Sequence, residues 1–276
     1  MRRSTTSAGT DRRRLGALLV AELICAVLVV GRPDSAPTGP AIATPASLTT
    51  PAAASTSQTL SDGRIVRLVG LGGSHTAPLL ARIAAQMDDA AQAVTAFWGP
   101  DWPREVLIVA AGSDAQFANL AAGGADIAAT TTAQRIMFAP GAASMSDSAL
   151  RIVLRHELFH YAARADTAAD SPRWLTEGVA DYVGRPQTPP PSNAVEMAQL
   201  PTDADLDTAG SARSLAYDRA WWFSRFVADK YGSSTLRALY VRACGHGHPD
   251  VATAVRETLG ADLDTVLTRW QQWITG

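Results

Sequence analysis

The sequence predicts an α+β fold: a small N-terminal β-sheet with helices, followed by a helical half. Three observations predict it. Short apolar or alternating runs, the mark of strands, fall between Arg64 and Ala139. From Ser148 onward the apolar residues recur every three to four positions, the helical period. Strands therefore precede helices, the order expected when helices gather against one side or end of a sheet. The 276 residues, 47% of them hydrophobic, can bury the core of one large domain or two small ones.

In chain order, Arg12-Arg13-Arg14 precede Leu15 to Val30, a run whose only charge is Glu22. As a helix it spans about 24 Å, somewhat less than a hydrocarbon core of about 30 Å. Its basic flank keeps the N-terminus cytoplasmic and directs the rest of the chain across the membrane. Residues 1–31 are read as a retained signal anchor, with the body in the extracytoplasmic space of a single-pass membrane protein. Secretion after signal cleavage is the alternative, because Ala41-Ile42-Ala43 has the small-x-small pattern but lies far from the apolar run. Residues 32–60, rich in Pro, Thr, Ser and Ala, are expected to be a disordered tether, since they hold too little apolar surface to offset chain entropy. The folded domain is assigned to 61–276.

Within it, Arg64 to Leu71 reads as a strand and Ala77 to Trp98 as one amphipathic helix stopped by Gly99-Pro100. Glu105 to Ala110 is a buried strand, and Ser113 opens a short helix through Leu120. Ile127 to Thr132 and Arg135 to Ala139 are two further strands, the second read as an edge strand able to align an extended peptide by backbone pairing. Helices follow at 148–164 and 174–183. Prolines at 186, 189–191 and 201 make 185–209 a long irregular segment. Four more helices are expected at 214–230, 234–243, 251–258 and 263–274.

Charge and cysteine content exclude several functions. Residues 1–32 carry a net charge of +4 and the remainder −6, so the body lacks the basic surface that grips phosphate backbones, and nucleic acid is not an expected partner. Cys25 and Cys244 supply neither a disulfide framework nor a cysteine-clustered zinc site.

The informative stretch is His156-Glu157-Leu158-Phe159-His160. On a helix, positions i and i+4 lie on one face about a turn apart, so the two imidazoles suit a single tetrahedral Zn²⁺. Glu157 then stands beside the metal as a general base for an attacking water rather than as a ligand. The bland alternative is a pair of exposed histidines on an amphipathic helix. A hydrolytic zinc also needs a third ligand, and Glu177 follows seventeen residues later on a helix able to return antiparallel. Asp181, at i+4 from Glu177, shares its face and can accept the N–H of a metal-bound imidazole. Tyr217 is the candidate donor to a developing oxyanion, or else a packing residue. His246 and His248 form either a loose metal or oxyanion site or a surface loop; His75 is read as a turn residue. Trp221-Trp222-Phe223 is read as helix core.

His156-Glu157-x-x-His160 with Trp174-x-x-Glu177-Gly178-x-Ala180-x-Tyr182 resembles the gluzincin, thermolysin-like zinc metallopeptidases, and more narrowly the peptidase MA-like domains of bacteria. Ala216-Tyr217, Tyr231-Gly232 and Leu259-Gly260 extend the resemblance in pattern. It implies a zincin-like fold whose active-site helix carries H-E-x-x-H, zinc at His156, His160 and Glu177, and Glu157 as base. The Gly-x-Met-Glu-Asn motif of gluzincin aminopeptidases is absent. The expected function is zinc-dependent hydrolysis of a peptide or protein substrate. A zinc amidohydrolase acting on a cell-wall peptide and a non-catalytic zinc-binding or sensing module are the alternatives.

Overall fold

The computed structural model describes residues 54–121, 127–192 and 194–276. The expected anchor and residues 32–53 of the expected tether lie outside these residues. Among the described residues, no helix is long and apolar enough to cross a membrane. The molecule is α+β, with a five-stranded sheet in the order β1-β2-β3-β5-β4 and a mostly helical remainder.

Ala54–Thr59 (β1) pairs antiparallel with Ile65–Gly70 (β2). This corrects the boundary at residue 60: composition assigned these residues to the tether, but backbone pairing on the edge of a sheet needs no apolar side chains. Glu105–Ala110 (β3) joins β2 in parallel, and Ile136–Phe138 (β5) joins β3 in parallel. Ala129–Thr131 (β4) closes the sheet antiparallel to β5. The strand read from Arg135 to Ala139 is therefore internal, and β4 lies at the edge. Bonds from Thr132 N–H to Arg135 O and from Ala139 N–H to Ala128 O turn the backbone of Ala129 and Thr131 away from β5.

Alternation along the strands sends Val66, Leu68, Val106, Ile108, Ile136 and Phe138 into the main core. Val109 and Met137 face a smaller cluster under the helix Asp114–Ala121 (α3), which follows β3. The single helix expected over 77–98 is two helices, Thr76–Ala84 (α1) and Met87–Trp98 (α2), joined through Gln86 at φ −108°, ψ −2°. Asp88 and Asp89 fill the first turn of α2, where the helix dipole favours acids, and Asp88 accepts from the Ser61 N–H at 2.7 Å. Both helices bury the same stripe, which is why the period continues unbroken across the junction.

A 3-10 turn at Pro140–Ser144 leads into Asp147–Ala163 (α4), capped by Ser146 Oγ accepting from Ala149 N–H. Most of its residues are buried, against α2 on one side and Arg173–Gly184 (α5) on another. The segment expected to be irregular holds two short helices, Ala194–Met197 (α6) and Asp203–Asp207 (α7), the latter started by a capping box between Thr202 and Asp205. Ser211–Tyr231 (α8), Ser233–Cys244 (α9), Val251–Leu259 (α10) and Leu263–Thr275 (α11) complete the helical half.

Aromatic rings join these layers. Trp98, Phe159 and Tyr240 from α2, α4 and α9 meet edge to face with centroids 5.3–5.7 Å apart. Phe223 of α8 makes similar contacts with Trp174 and Trp270, so Trp221-Trp222-Phe223 does belong to the core. Each such pair adds about 0.5–1.5 kcal/mol beyond its buried area. Gly178 lets α5 and α8 approach closely: a Cβ there would stand 2.4 Å from the main-chain oxygen of Ala220. The glycine that follows Glu177 thus serves the packing of α5 on α8.

Candidate metal centre

His156 and His160 point from one face of α4 toward Glu177 on α5, and all three side chains are buried. His156 Nε2 lies 3.1 Å from Glu177 Oε2 and 3.1 Å from His160 Nε2, and His160 Nε2 lies 3.4 Å from Glu177 Oε2. Arms of about 2.1 Å at tetrahedral angles set ligand atoms about 3.4 Å apart, so the spacing of these three atoms is compatible with three corners of a tetrahedral zinc site. Among the described residues they form the group of His, Cys, Asp and Glu side chains able to hold a metal ion. The donor set of two imidazoles and one carboxylate suits Zn²⁺.

The electrostatics of the metal-free site follow from burial and these contacts. Burial opposes charge on His156, but the bonds to Asp181 and Glu177 outweigh it and raise the imidazole to about 10. Burial likewise opposes ionisation of Glu177, and the two histidines overcome it, holding the carboxyl at about 2. A proton on His156 thus occupies the place of positive charge that a metal would take.

The remaining predicted residues fall into two groups. Asp181 Oδ1 accepts from His156 Nδ1–H at 2.8 Å, which leaves Nε2 directed at the ligand cluster. Glu157 is fully buried outside the ligand cluster; Thr131 Oγ1 on β4 reaches its Oε2 at 2.6 Å and its main-chain oxygen at 2.9 Å. Its other oxygen, Oε1, is buried and accepts no bond from the described residues. Burial is the largest influence on the Glu157 carboxyl and raises it above the ordinary range, against the pull of His156 and His160. The Tyr217 ring lies 6.3 Å from that of His156.

The other histidines are not brought to the centre. His246 Nε2 contacts Ala165 O and His248 Nδ1 contacts Pro249 O, on the loop after α9. His75 sits at the start of α1 with Nε2 3.1 Å from Ala111 O. Sequence reasoning missed Thr131, Arg185 and Asp218. Arg185 forms an ion pair with Asp181 at 2.6 Å, and with Asp218 of α8 at 2.6 Å. Its i+4 spacing from Asp181 was a readable signal; nothing local marks Thr131, because its role depends on where β4 lies. A cavity of about 290 Å³ borders Arg185, Trp221, Arg225 and Tyr182 and touches none of His156, His160 and Glu177.

No protein-family model and no curated protein matches the chain. Among solved structures, the chain is similar to a crystal structure of a mutant two-domain M1 zinc metallopeptidase bound to L-arginine. The identity is 16% and the TM-score 0.46, over 79% of this chain and 51% of that one. The chain spans about half the length of that protein, and a likeness of this degree is silent about chemistry.

Proposed function

We propose that the chain is a zinc-dependent metallopeptidase of zincin-like fold. The observation that carries the reading is the tetrahedral spacing of His156 Nε2, His160 Nε2 and Glu177 Oε2, with a buried glutamate beside them that is not one of the ligands. Zinc held there supplies Lewis acidity toward a carbonyl and makes water a nucleophile at neutral pH. The chain's own residues divide the remaining work. Asp181 fixes the ring and tautomer of His156. Thr131 holds one oxygen of Glu157 and leaves Oε1 to take the proton of the attacking water and pass it to the leaving nitrogen. Tyr217, beside His156, is the candidate donor to the oxyanion. The resemblance of the H-E-x-x-H and W-x-x-E-G segments to those of gluzincin peptidases favours a peptide or protein substrate. The basic and apolar N-terminal pattern supports a membrane-tethered body on the extracytoplasmic side.

The burial of all three ligands favours a second reading, a zinc-holding module without turnover. Metal analysis and activity together separate the two. Full-length protein, Glu157→Gln and Glu177→Ala are analysed for zinc and assayed on a mixed peptide library. About one zinc per chain in wild type and Glu157→Gln, loss in Glu177→Ala, and turnover in wild type alone would support the peptidase. Zinc bound with no turnover would leave the non-catalytic module. Absence of zinc from folded wild type supplied with the metal would end both readings.

A further inference from the structure

A line of alternating charge leaves the candidate metal centre at the C-terminal end of α5. Asp181 accepts from His156 Nδ1–H through Oδ1, while its Oδ2 lies 2.6 Å from Arg185 Nη2. Arg185 Nη1 then donates to Asp218 Oδ1 at 2.6 Å, crossing from α5 to α8. Asp218 is the neighbour of Tyr217, whose ring packs by His156. Solvent exposure grows outward along the line: none for the Asp181 side chain, 11% for Arg185 and 19% for Asp218.

We infer that Arg185 is a positioning residue for the metal centre, holding the His156 ring through Asp181 and the Tyr217 segment through Asp218. The inference rests on the metal-binding reading of His156, His160 and Glu177. The physical case has three parts. A buried carboxylate with a single N–H partner is free to turn about its last bond; Arg185 supplies a second contact and a permanent positive charge that does not depend on the protonation of His156. The guanidinium is planar with several donors, so one side chain spans carboxylates on two helices, which an ammonium does less well. Arg185 is itself held: its N–H closes the last turn of α5 on Asp181 O at 2.8 Å, and its guanidinium carbon lies 5.1 Å from the Trp221 ring. Residues of this kind, one step outside the ligands, commonly change metal affinity 10- to 100-fold when replaced.

The test measures zinc affinity by competition with a chromophoric chelator, on full-length wild type, Arg185→Met, Arg185→Lys and Arg225→Met. Melting of each metal-free protein runs in parallel, with the His156 Nδ1–H proton followed by NMR. Arg225 borders the same cavity but touches neither Asp181 nor Asp218, so it serves as the control. The expected result is zinc binding about 10- to 100-fold weaker in Arg185→Met, a smaller loss in Arg185→Lys, and none in Arg225→Met. The His156 proton signal should shift in both Arg185 variants. Wild-type affinity and signal in folded Arg185→Met would overturn the inference, as would an equal loss in Arg225→Met. Should Arg185→Met fail to fold, Arg185→Lys decides, and an unchanged affinity there overturns the inference. Wild type that binds no zinc removes the metal-centre reading itself, an outcome distinct from wild type that binds and an Arg185 variant that binds equally.

Discussion

At the scale of single residues, His156 and Glu177 perturb one another in opposite directions, and the signs give a pH dependence. The imidazole rises from 6.5 to about 10, so its contribution to the stability of the metal-free protein is complete below 6.5 and is lost as pH climbs through about 10. The Glu177 carboxyl falls from 4.5 to about 2, so its contribution is complete above 4.5 and is lost as pH drops through about 2. Melting of chelator-treated protein across pH should therefore decline above 6.5, and His156→Gln should lack that alkaline decline. A wild-type curve flat from 6.5 to 10 would contradict the pairing. Glu157 differs from His156, His160 and Glu177 in that its two oxygens are unlike: one is held by Thr131, and the other accepts no bond from the described residues.

At the scale of elements, the approach of α8 to α5 decides whether Tyr217 and Asp218 reach the centre. Gly178→Ala sets two effects against each other. Alanine's helix preference gains about 1 kcal/mol. The new Cβ would stand 2.4 Å from Ala220 O and 2.7 Å from its carbonyl carbon, and main chain cannot move aside as a rotamer can. Overpacking of this sort costs about 1–3 kcal/mol, so the net effect is a loss. Gly184→Ala meets Ile152 O at 2.9 Å and should lose less. Urea unfolding midpoints of both variants check the order; a Gly178→Ala protein as stable as wild type would mean that the two helices sit farther apart. The H-E-x-x-H and W-x-x-E-G segments were legible as helices because their periodicity and spacing are local. The break at Gln86 was not, since α1 and α2 bury one continuous stripe.

At the scale of the whole molecule, a metal at His156, His160 and Glu177 would link α4 to α5, and through their packing the sheet to the helical half. A ligand that binds only the folded state adds RT ln(1 + [L]/Kd), about 2.7 kcal/mol at a hundredfold excess over Kd. The melting temperature of the full-length protein should fall on chelation and recover with added Zn²⁺, while Glu177→Ala should respond to neither. A wild type indifferent to both would detach the centre from the fold.

The sequence by itself determined the α+β order of elements, the histidine pair on one face of α4, the glutamate on α5 that meets it and the carboxylate one turn beyond it. These are relations within a helix or between neighbouring helices, where residue spacing converts directly into geometry. Only the tertiary structure decided which strand lies at the edge, that residues 54–59 join the sheet, that Thr131 holds Glu157, and that Arg185 ties Asp181 to Asp218. Those depend on strand register and on the contact between α5 and α8, which bring together residues 26 and 33 positions apart. No local period encodes such a meeting; packing of the core sets it.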